Sequence, residues 1–479
     1  MRRPAARRRF WCVAALGALA YGSLVAPSPV QGAALGLDAD STAAMSQAAL
    51  RSPESFIAKR RGLRSIAEIV LMNGVQTLAG RFLMEEGSEG FIVSTESIHE
   101  NLISGQEWDD NSFNANNFRH PWQGGMYFNA ARANGYDFYA SSMFALAGSW
   151  LWEYTGERHH PSYNDMINTH VGGIAFGEFM YRMSSIVLDN TATGSGRAWR
   201  ELGGFIISPL RGFNRIVTGE AFAVHANAPD RLPDAYGIAV EFGIRTLGED
   251  RLWDSAVGKA FINIEGQYGD RFENLAKPYD NFRFGMQLNF SNSPHGIGRI
   301  LLHGTLGGTR LDSDQNRKQV VSAHQDLDYI DNEAYTYGGQ SFGVGYQTFF
   351  RAGSRTGLRT GLFTNGILLG ATKSDYPSIS GREYDYGPGL GAKFVAALSR
   401  DGQELLLVAH ESYFIHSVSG TDLDSYVNMT TARFLFPMRA WAVLGVDYIL
   451  YHAERDYADY ADVSRRNPEL HAYLLWKLD

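Results

Sequence analysis

Apolar and polar residues alternate with a period of two through most of the chain after residue 235. The clearest stretch runs from Phe282 to Ser291, where every second residue is apolar and the residues between are polar or small. Strands of a membrane barrel, which have lipid on one side and water on the other, show this pattern over about ten residues. Strands of a soluble β-sandwich are usually shorter. About twelve strands are predicted, at residues 235–247, 259–268, 280–292, 297–311, 317–330, 335–350, 357–371, 384–399, 403–416, 424–437, 441–453 and 468–478.

The links between these strands favour a closed barrel. Counted back from the C-terminus, long and short links alternate, as between the long link at 373–384 and the short one at 400–402. Outer-membrane barrels have short periplasmic turns and longer outer loops. The sequence therefore predicts an α+β chain whose residues 233–479 form an antiparallel transmembrane β-barrel with both ends in the periplasm.

Upstream of the barrel the apolar period becomes helical. Helices are predicted from Gly62 to Phe82, Thr95 to Ser104, His120 to Gly135 and Ala140 to Glu157, then from about Ser162, and finally in a segment interrupted at Pro209. We interpret residues 59–225 as one helical domain. Roughly 160 helical residues cannot all fit the narrow lumen of a barrel of this size. The domain is therefore expected beneath the barrel, or partly inside it as a plug.

The first 32 residues have the pattern of a secretory signal peptide. A cationic start, MRRPAARRRF, precedes an apolar run from Trp11 to Ala26 and small residues near Gly32. Residues 33–58 read as a linker. Export predicts a location in the outer membrane of a Gram-negative bacterium, with outer-membrane lipid and the barrel-assembly machinery as partners. The alternative is an N-terminal membrane anchor.

Net charge and cysteine content argue against one class of partner and one class of chemistry. Removal of the five arginines of the predicted signal peptide takes the net charge from −8 to about −13, which argues against nucleic acid as a partner. The single cysteine, Cys12, lies in the same segment. The mature protein is therefore expected to have no disulfide and no thiolate chemistry.

The densest set of chemically capable side chains lies between Trp150 and Arg182. Glu153 and Glu157 share one face at the C-terminal end of a predicted helix, where the helix dipole disfavours negative charge. A short connection leads to the next helix, so the two should pack as a hairpin. This hairpin would bring both glutamates near Asp165 and Asn168. The candidate catalytic residues are Glu153, Glu157, Asp165 and His120, and the candidate ligand-binding residues are Asn168, His170, Arg211 and Arg215.

Two interpretations of this cluster remain open. One is a metal or acid/base site, as in carboxylate sites inside helical bundles, with Arg211 and Arg215 as counter-charges. The other is a polar clasp that fixes the helix pair. Motifs such as HExxH are absent, so no metal or cofactor is assigned. Gly173 and Gly177 form a small-xxx-small pair that should let another helix approach closely.

The same region resembles a known family. Its pattern includes His120-Pro121, Trp152-Glu153-Tyr154, Pro161-Ser162, Asn164-Asp165, Gly172-Gly173 and Gly177-Glu178. It resembles, over about residues 110–220, an uncharacterised family of bacterial envelope proteins known only as a domain of unknown function. Glu153 to Gly177 is also loosely similar to VanZ-like helical hairpins, with tighter spacing here. Neither resemblance implies an established activity.

Three functions are compatible with these features. The first is an envelope protein or gated pore whose helical domain plugs or anchors the barrel. The second is an outer-membrane enzyme that acts on lipid or a small molecule through the carboxylate and histidine cluster. The third is a soluble periplasmic binding protein with a β-sandwich. The first is favoured because the chain lacks a GxSxG nucleophile motif. Whether the protein is an enzyme stays open.

Overall fold

The computed structural model describes residues 60–83, 88–228, 231–252, 258–290, 295–314, 316–376 and 381–478. The predicted signal peptide (1–32) and linker (33–58) lie outside these residues. Among the helices of the described ranges, none combines the length and the apolar character that crossing a bilayer requires.

Helices occupy the described chain up to residue 217. They are α1 Gly62–Leu83, α2 Thr95–Ile103, α3 His120–Arg132, α4 Phe138–Thr155, α5 Tyr163–Ile167, α6 Gly173–Val187, α7 Gly194–Ile207 and α8 Pro209–Val217. Side chains cap several of them; Ser162, for example, accepts a hydrogen bond from the backbone of Asp165 at the start of α5. Pro209 begins α8, where its missing N–H is not needed, which confirms the predicted interruption.

Strands form a closed antiparallel barrel of twelve within the described ranges, which confirms the predicted fold class. Each strand pairs with its sequence neighbours, and β1 pairs with β12 to close the sheet. The strands are β1 Tyr236–Leu247, β2 Lys259–Tyr268, β3 Phe282–Phe290, β4 Ile297–Ser313, β5 Arg317–Asp331, β6 Thr336–Ala352, β7 Thr356–Lys373, β8 Tyr384–Arg400, β9 Gln403–His416, β10 Leu423–Pro437, β11 Ala442–Tyr457 and β12 Val463–Leu478.

The last strand begins earlier than the alternation predicted. The predicted strand starts at Pro468, whereas β12 begins at Val463 and pairs through Pro468 with Leu450. The carbonyl of Pro468 accepts from Gly248, just beyond the end of β1. The imino nitrogen faces this same side, where pairing with β1 has stopped, so the ladder to β11 loses no hydrogen bond. The long outer link predicted after Tyr451 is therefore mostly strand.

Ion pairs between distant strands identify the inward face of the barrel. Lys393 on β8 contacts Asp326 and Asp328 on β5, each at 2.8 Å. Arg433 on β10 contacts Glu265 on β2 at 2.8 Å, across three intervening strands. Such contacts are possible only through the lumen. Residues one position away on each strand therefore face outward.

The helical domain packs on this outward face. Phe179 of α6 contacts the rings of Phe282 and Phe284, with centroids 5.9 Å and 5.0 Å away. Gln325, also outward, donates to the carbonyl of Val171 at 2.8 Å. Outward side chains buried in this region are Ile238, Phe282, Phe284, Leu302, Leu327, Tyr329, Leu369, Tyr384 and Tyr386. The domain was expected beneath the barrel or partly inside it; these contacts lie on the outer wall, where apolar side chains of the helices pack against apolar outward positions.

Close helix contacts hold the domain together. A Cβ on Gly124 of α3 would lie 1.6 Å from the carbonyl oxygen of Thr169, and one on Gly173 would lie 2.5 Å from the backbone of Gly124. A Cβ on Gly177 would meet the ring of Phe128. The predicted small-xxx-small contact is therefore present, with α3 as the approaching helix.

Candidate functional site

Three predicted residues converge between the first turn of α3, the end of α4 and the start of α5. Ligand atoms of His120, Glu153 and Asp165 all lie within 4.8 Å of one another, and we call this group the His–Glu–Asp cluster. The short connection between α4 and α5 brings the two carboxylates together, as the hairpin prediction required. The Nε2 atom of His120 lies 3.4 Å from Oδ1 of Asp165.

Hydrogen bonds fix the orientation of each member. The backbone N–H of Ser162 donates to Oε2 of Glu153 at 2.9 Å, and its hydroxyl donates to Oδ2 of Asp165 at 2.6 Å. The Nδ1 atom of His120 lies 3.0 Å from the hydroxyl of Thr169. This contact turns Nε2 of the imidazole towards the carboxylates. An imidazole oriented in this way by its other nitrogen is typical of ligands and of proton carriers.

Glu153 is the least satisfied member of the cluster. Its side chain is fully buried, and Oε1 has no hydrogen-bond partner within the described residues. Burial raises the pKa of Glu153 well above its ordinary value, and the charges of Glu157 and Asp165 raise it further. A buried carboxyl oxygen without a partner is costly, unless it carries a proton or meets a cation.

The other charged side chains that act on the cluster are also mostly acidic. Burial, with a contribution from Asp109, raises the pKa of Asp165 to about 6, although the nearby His120 opposes this. Burial and the charges of Asp165 and Asp109 raise the pKa of Glu157. The ion pairs found in the described ranges connect neither Glu153 nor Asp165 to an arginine or lysine. The cluster therefore has an excess of negative charge that protons or a cation would balance.

Two ligand-binding candidates lie beside the cluster without joining it. Asn168 is buried in the π-helical turn between α5 and α6, and its Nδ2 has no partner among the described residues. His170 follows in the same turn, and burial lowers its pKa. Neither residue belongs to the group whose ligand atoms converge.

Arg211 and Arg215, the other ligand-binding candidates, have partners outside the cluster. Arg215 forms two hydrogen bonds with Glu201 at 2.7 and 2.8 Å, and Arg211 donates to the carbonyl of Tyr181 at 2.7 Å. Both arginines lie on α8, which packs against α7, and no ion pair of the described residues joins either of them to Glu153. Sequence position alone gave no information about this packing.

Sequence reasoning missed Asp109, which acts on the cluster from the polar loop before α3. Its backbone N–H donates to the side chain of Asn164 at 2.9 Å, beside Asp165. Its carboxylate accepts from Asn111 and Asn116 at 2.9 Å, so the loop is held by Asx hydrogen bonds.

A second cluster in the lumen was also missed. Ligand atoms of His303, His324 and Asp326 lie within 4.8 Å of one another, and His303 Nδ1 is 2.6 Å from Asp326. The sequence signal was available, because His324, Asp326 and Asp328 are spaced by two and so share the inner face of one strand. Lys393 already neutralises Asp326 at 2.8 Å. This lysine makes the lumen cluster a poorer cation site than the His–Glu–Asp cluster.

Comparisons with known proteins identify one domain in the chain. Residues 105–210 match the family described as DUF3943, a domain of unknown function, which covers the helical part that holds the cluster. No curated protein matches the chain.

Solved structures with a similar arrangement are outer-membrane channels. The toluene transporter TodX of Pseudomonas putida is 8% identical, over 52% of this chain and 91% of its own, with a TM-score of 0.23. The CymD monoaromatic hydrocarbon channel is 10% identical over 52% and 89%, with a TM-score of 0.21. The NanC porin is 9% identical over 50% and 98%, with a TM-score of 0.25. At these values the similarity carries no functional argument.

Proposed function

We propose that this protein is an outer-membrane anchor and scaffold, in which a closed barrel holds the helical domain at its lipid-facing wall. The observation that carries the proposal is the set of ion pairs across the lumen. Besides the contacts of Lys393 and Arg433, Arg245 on β1 contacts both Glu333 and Glu469 at 2.7 Å. Buried pairs of this kind fill the cross-section that an open pore would leave to water.

Aromatic side chains fill part of the lumen beside these ion pairs, since Tyr451 donates to Glu469 and Lys393 lies over the ring of Tyr413. Tyr337 and Tyr413 stack with ring centroids 4.2 Å apart, and Tyr335 meets Tyr451 at 5.5 Å. Each of the four is at most 5% exposed. Phenol rings that meet across a barrel leave little room for a permeating solute.

The outer surface of the barrel supports a membrane location. Its outward side chains form an apolar band that is exposed away from the helical domain. Exposed members of this band include Phe242, Val344, Leu362, Leu390, Phe434 and Leu474. Trp441 and Trp476 pair at the rim where the barrel begins and ends, with ring centroids 4.4 Å apart. Tryptophan at this level is typical of a membrane–water interface.

The helical domain carries a similar surface. On α1, apolar side chains more than half exposed are Leu63, Ile66, Val70, Leu71, Val75, Leu78, Phe82 and Leu83. An apolar patch of this size on a soluble domain would favour aggregation. Beside a lipid-facing barrel wall it would instead contact the same bilayer, as interfacial helices do.

Export and assembly form the remaining part of the proposal. Residues 1–32 would be removed as a signal peptide, residues 33–58 would act as a linker, and the barrel-assembly machinery would insert residues 233–479. Outer-membrane lipid would be the main partner. The cationic start and apolar run of the sequence support this route.

Planar-bilayer conductance tests the closed barrel. We expect no steady channels from the full-length protein reconstituted in lipid, provided that its heat-modifiable gel migration confirms folding. The double variant Tyr337→Ala/Tyr413→Ala removes the stacked rings and should produce measurable openings. Stable, ohmic channels from the unmodified protein would contradict the proposal.

A second candidate function, a metal-dependent or acid/base enzyme acting on lipid, is favoured by the His–Glu–Asp cluster. Ligands about 2.1 Å from a tetrahedral metal lie roughly 3.4 Å apart. The His120 Nε2 to Asp165 Oδ1 distance is 3.4 Å, and Oε1 of Glu153 is free to complete a set of three. One imidazole and two carboxylates suit zinc or manganese.

Metal content distinguishes this second function from a structural clasp. A metal site predicts close to one divalent metal per folded chain by elemental analysis, and its loss in Glu153→Gln. Glu107→Gln is the matched control, since Glu107 pairs with His160 at 2.9 Å on the exposed surface of the same domain. A clasp predicts no metal in either protein and a lower unfolding free energy in Glu153→Gln alone.

A further inference from the structure

A cavity of about 360 Å³ opens beside α3, α6 and α8, away from the His–Glu–Asp cluster. Five arginines line it: Arg60, Arg61, Arg132, Arg211 and Arg215. The described lining contains two carboxylates, Asp137 and Glu220. We call this space the arginine cavity. Its lining therefore has an excess of positive charge.

Arg211 is not balanced by an acidic side chain of the described residues. Its hydrogen bonds all leave one terminal nitrogen, Nη1, towards the carbonyl of Tyr181 and the hydroxyls of Ser184 and Ser185, at 2.6 to 2.8 Å. Within the described ranges it has no carboxylate partner. Burial lowers the pKa of Arg211, and the charges of Arg215 and Arg132 lower it further. An anion in the cavity would relieve this repulsion.

The guanidinium groups are held in place rather than mobile. Arg132 and Arg211 both lie over the ring of Tyr181, at 4.3 Å and 4.1 Å from its centroid. Glu178 fixes Arg132 from behind with two hydrogen bonds of 2.9 and 3.2 Å. Fixed guanidinium groups around one space suit an anion with several oxygens, because the planar fork of arginine matches phosphate.

Exposed apolar side chains lie on α8, which lines the cavity, and on α7, which packs against α8. On α8, Arg211 and Arg215 face the cavity, whereas Phe213, Ile216 and Val217 are between 39% and 54% exposed. On α7, the exposed apolar side chains are Trp199, Leu202 and Phe205. An arginine face and an apolar face on one helix are typical of helices that lie at a membrane surface.

The cavity lies next to the rim where the barrel begins and ends. Arg182, adjacent to Tyr181, donates to the carbonyl of Pro278 at 3.3 Å and contacts Asp280 at 3.4 Å. Both acceptors belong to the connection between β2 and β3, at the same rim as Trp441 and Trp476. Phosphate groups of a bilayer lie at the level of such tryptophans.

We propose that the arginine cavity binds the phosphate of a phosphate-bearing lipid, whose acyl chains lie along the apolar faces of α7 and α8. The phosphate replaces solvent between Arg132, Arg211 and Arg215. The acyl chains continue the apolar surface of the barrel wall. This inference rests on the proposed membrane location for the source of the lipid, whereas binding itself can be measured in detergent.

Calorimetric titration of the folded, full-length protein in a neutral detergent tests the site with three probes. These are a monoacyl glycerol phosphate, the same monoacyl glycerol without phosphate, and inorganic phosphate. We expect saturable binding of the first, at least tenfold weaker binding of inorganic phosphate, and none of the phosphate-free lipid. Arg211→Met should weaken the binding of the first probe at least about tenfold, as expected for a lost hydrogen bond to a charged group.

Two variants control for folding and charge. Arg81→Met removes an exposed arginine of the same domain outside the cavity, and should bind like the unmodified protein. Arg211→Lys keeps the charge but loses the fork, and should give intermediate affinity. Heat-modifiable migration and far-UV circular dichroism must match in all variants.

Several results would overturn the inference. Equal binding by Arg211→Met would exclude the cavity as the site. Equal binding of the phosphate-free lipid would mean that the apolar faces act alone. Inorganic phosphate that binds as tightly as the lipid would exclude a lipid ligand. A conducting barrel would contradict the proposed scaffold but leave these affinities unchanged, so the two proposals fail separately.

Discussion

Glu178 is the main charged link inside the helical domain, and its removal gives a large expected effect. The carboxylate is fully buried and accepts from Arg132 at 2.9 and 3.2 Å and from Arg182 at 2.7 Å. Glu178→Gln keeps the size of the side chain but leaves Arg132 without its carboxylate partner and Arg182 with the more distant Asp280 alone. Breaking a buried ion pair costs about 3–5 kcal/mol. Since a domain is stabilised by about 5–15 kcal/mol, this change should remove a large part of the stability of the helices.

Urea unfolding in detergent measures this effect, with tryptophan fluorescence reporting on the helices and heat-modifiable migration on the barrel. Arg60→Gln is the control, because Arg60 and Asp137 are both more than half exposed, and an exposed pair contributes at most about 1 kcal/mol.

The pH dependence of Glu178 has a defined sign. Burial alone would raise its pKa, but the charges of Arg132 and Arg182 outweigh this and lower it. Its stabilisation is therefore present above the unfolded pKa of about 4.3 and is lost as the pH falls through the lower folded value. The difference in unfolding free energy between the unmodified protein and Glu178→Gln should shrink in acid.

A difference in unfolding free energy below about 1 kcal/mol at pH 7 would refute the reasoning, because it would mean that the arginines are solvated.

Three further predictions follow from particular contacts. Gly124→Ala should lower the unfolding free energy of the helices by about 3 kcal/mol or more, because the added Cβ meets backbone atoms. Gly74→Ala is the control and should stabilise α1 slightly, because open space surrounds its Cβ. Urea unfolding measures both effects. Lys393→Met should cost the barrel about 3–5 kcal/mol, seen as a lower temperature of heat-modified migration, because it removes the lysine that neutralises both Asp326 and Asp328. Asp189→Asn should destabilise the helices at pH 6 but not near pH 2. Burial would raise the pKa of Asp189, yet hydrogen bonds from Asn227 and Thr191 and the charge of Arg231 lower it to about 2. The stabilisation by the charged carboxylate is therefore lost as the pH falls to that value.

The barrel could be predicted because its constraint is local. Alternation along one strand, as from Phe282 to Ser291, already determines which side chains face lipid or lumen. The start of β12 is the exception, because a strand can include Pro468 only where pairing with the neighbouring strand β1 has ended. That endpoint is a tertiary property, which the pattern of a single strand does not contain.

The place of the helical domain could not be predicted for a related reason. Phe282 and Phe284 contact Phe179, whereas Phe290 on the same face of the same strand is exposed. Lipid and a packed helix both favour an apolar residue at an outward position. The alternation is therefore identical in the two cases.

The candidate site was predicted as far as one helical hairpin extends. Glu153 and Asp165 are twelve residues apart and meet because α4 and α5 are joined by a short connection. Arg211 lies beyond two more helices, so its position depends on how α7 and α8 pack. His303 and His324 meet only through the pairing of β4 and β5.

Cysteine cross-linking tests most directly whether the helical domain lies on the outer wall of the barrel. The one native cysteine, Cys12, lies in the predicted signal peptide, so introduced pairs can be read without background. Phe179→Cys/Phe284→Cys joins α6 to an outward position, and Phe179→Cys/Gly285→Cys joins it to the adjacent inward one. Oxidation in intact outer membranes should cross-link the first pair and not the second. Cross-linking of the second pair without the first would place the helix inside the lumen and contradict the account.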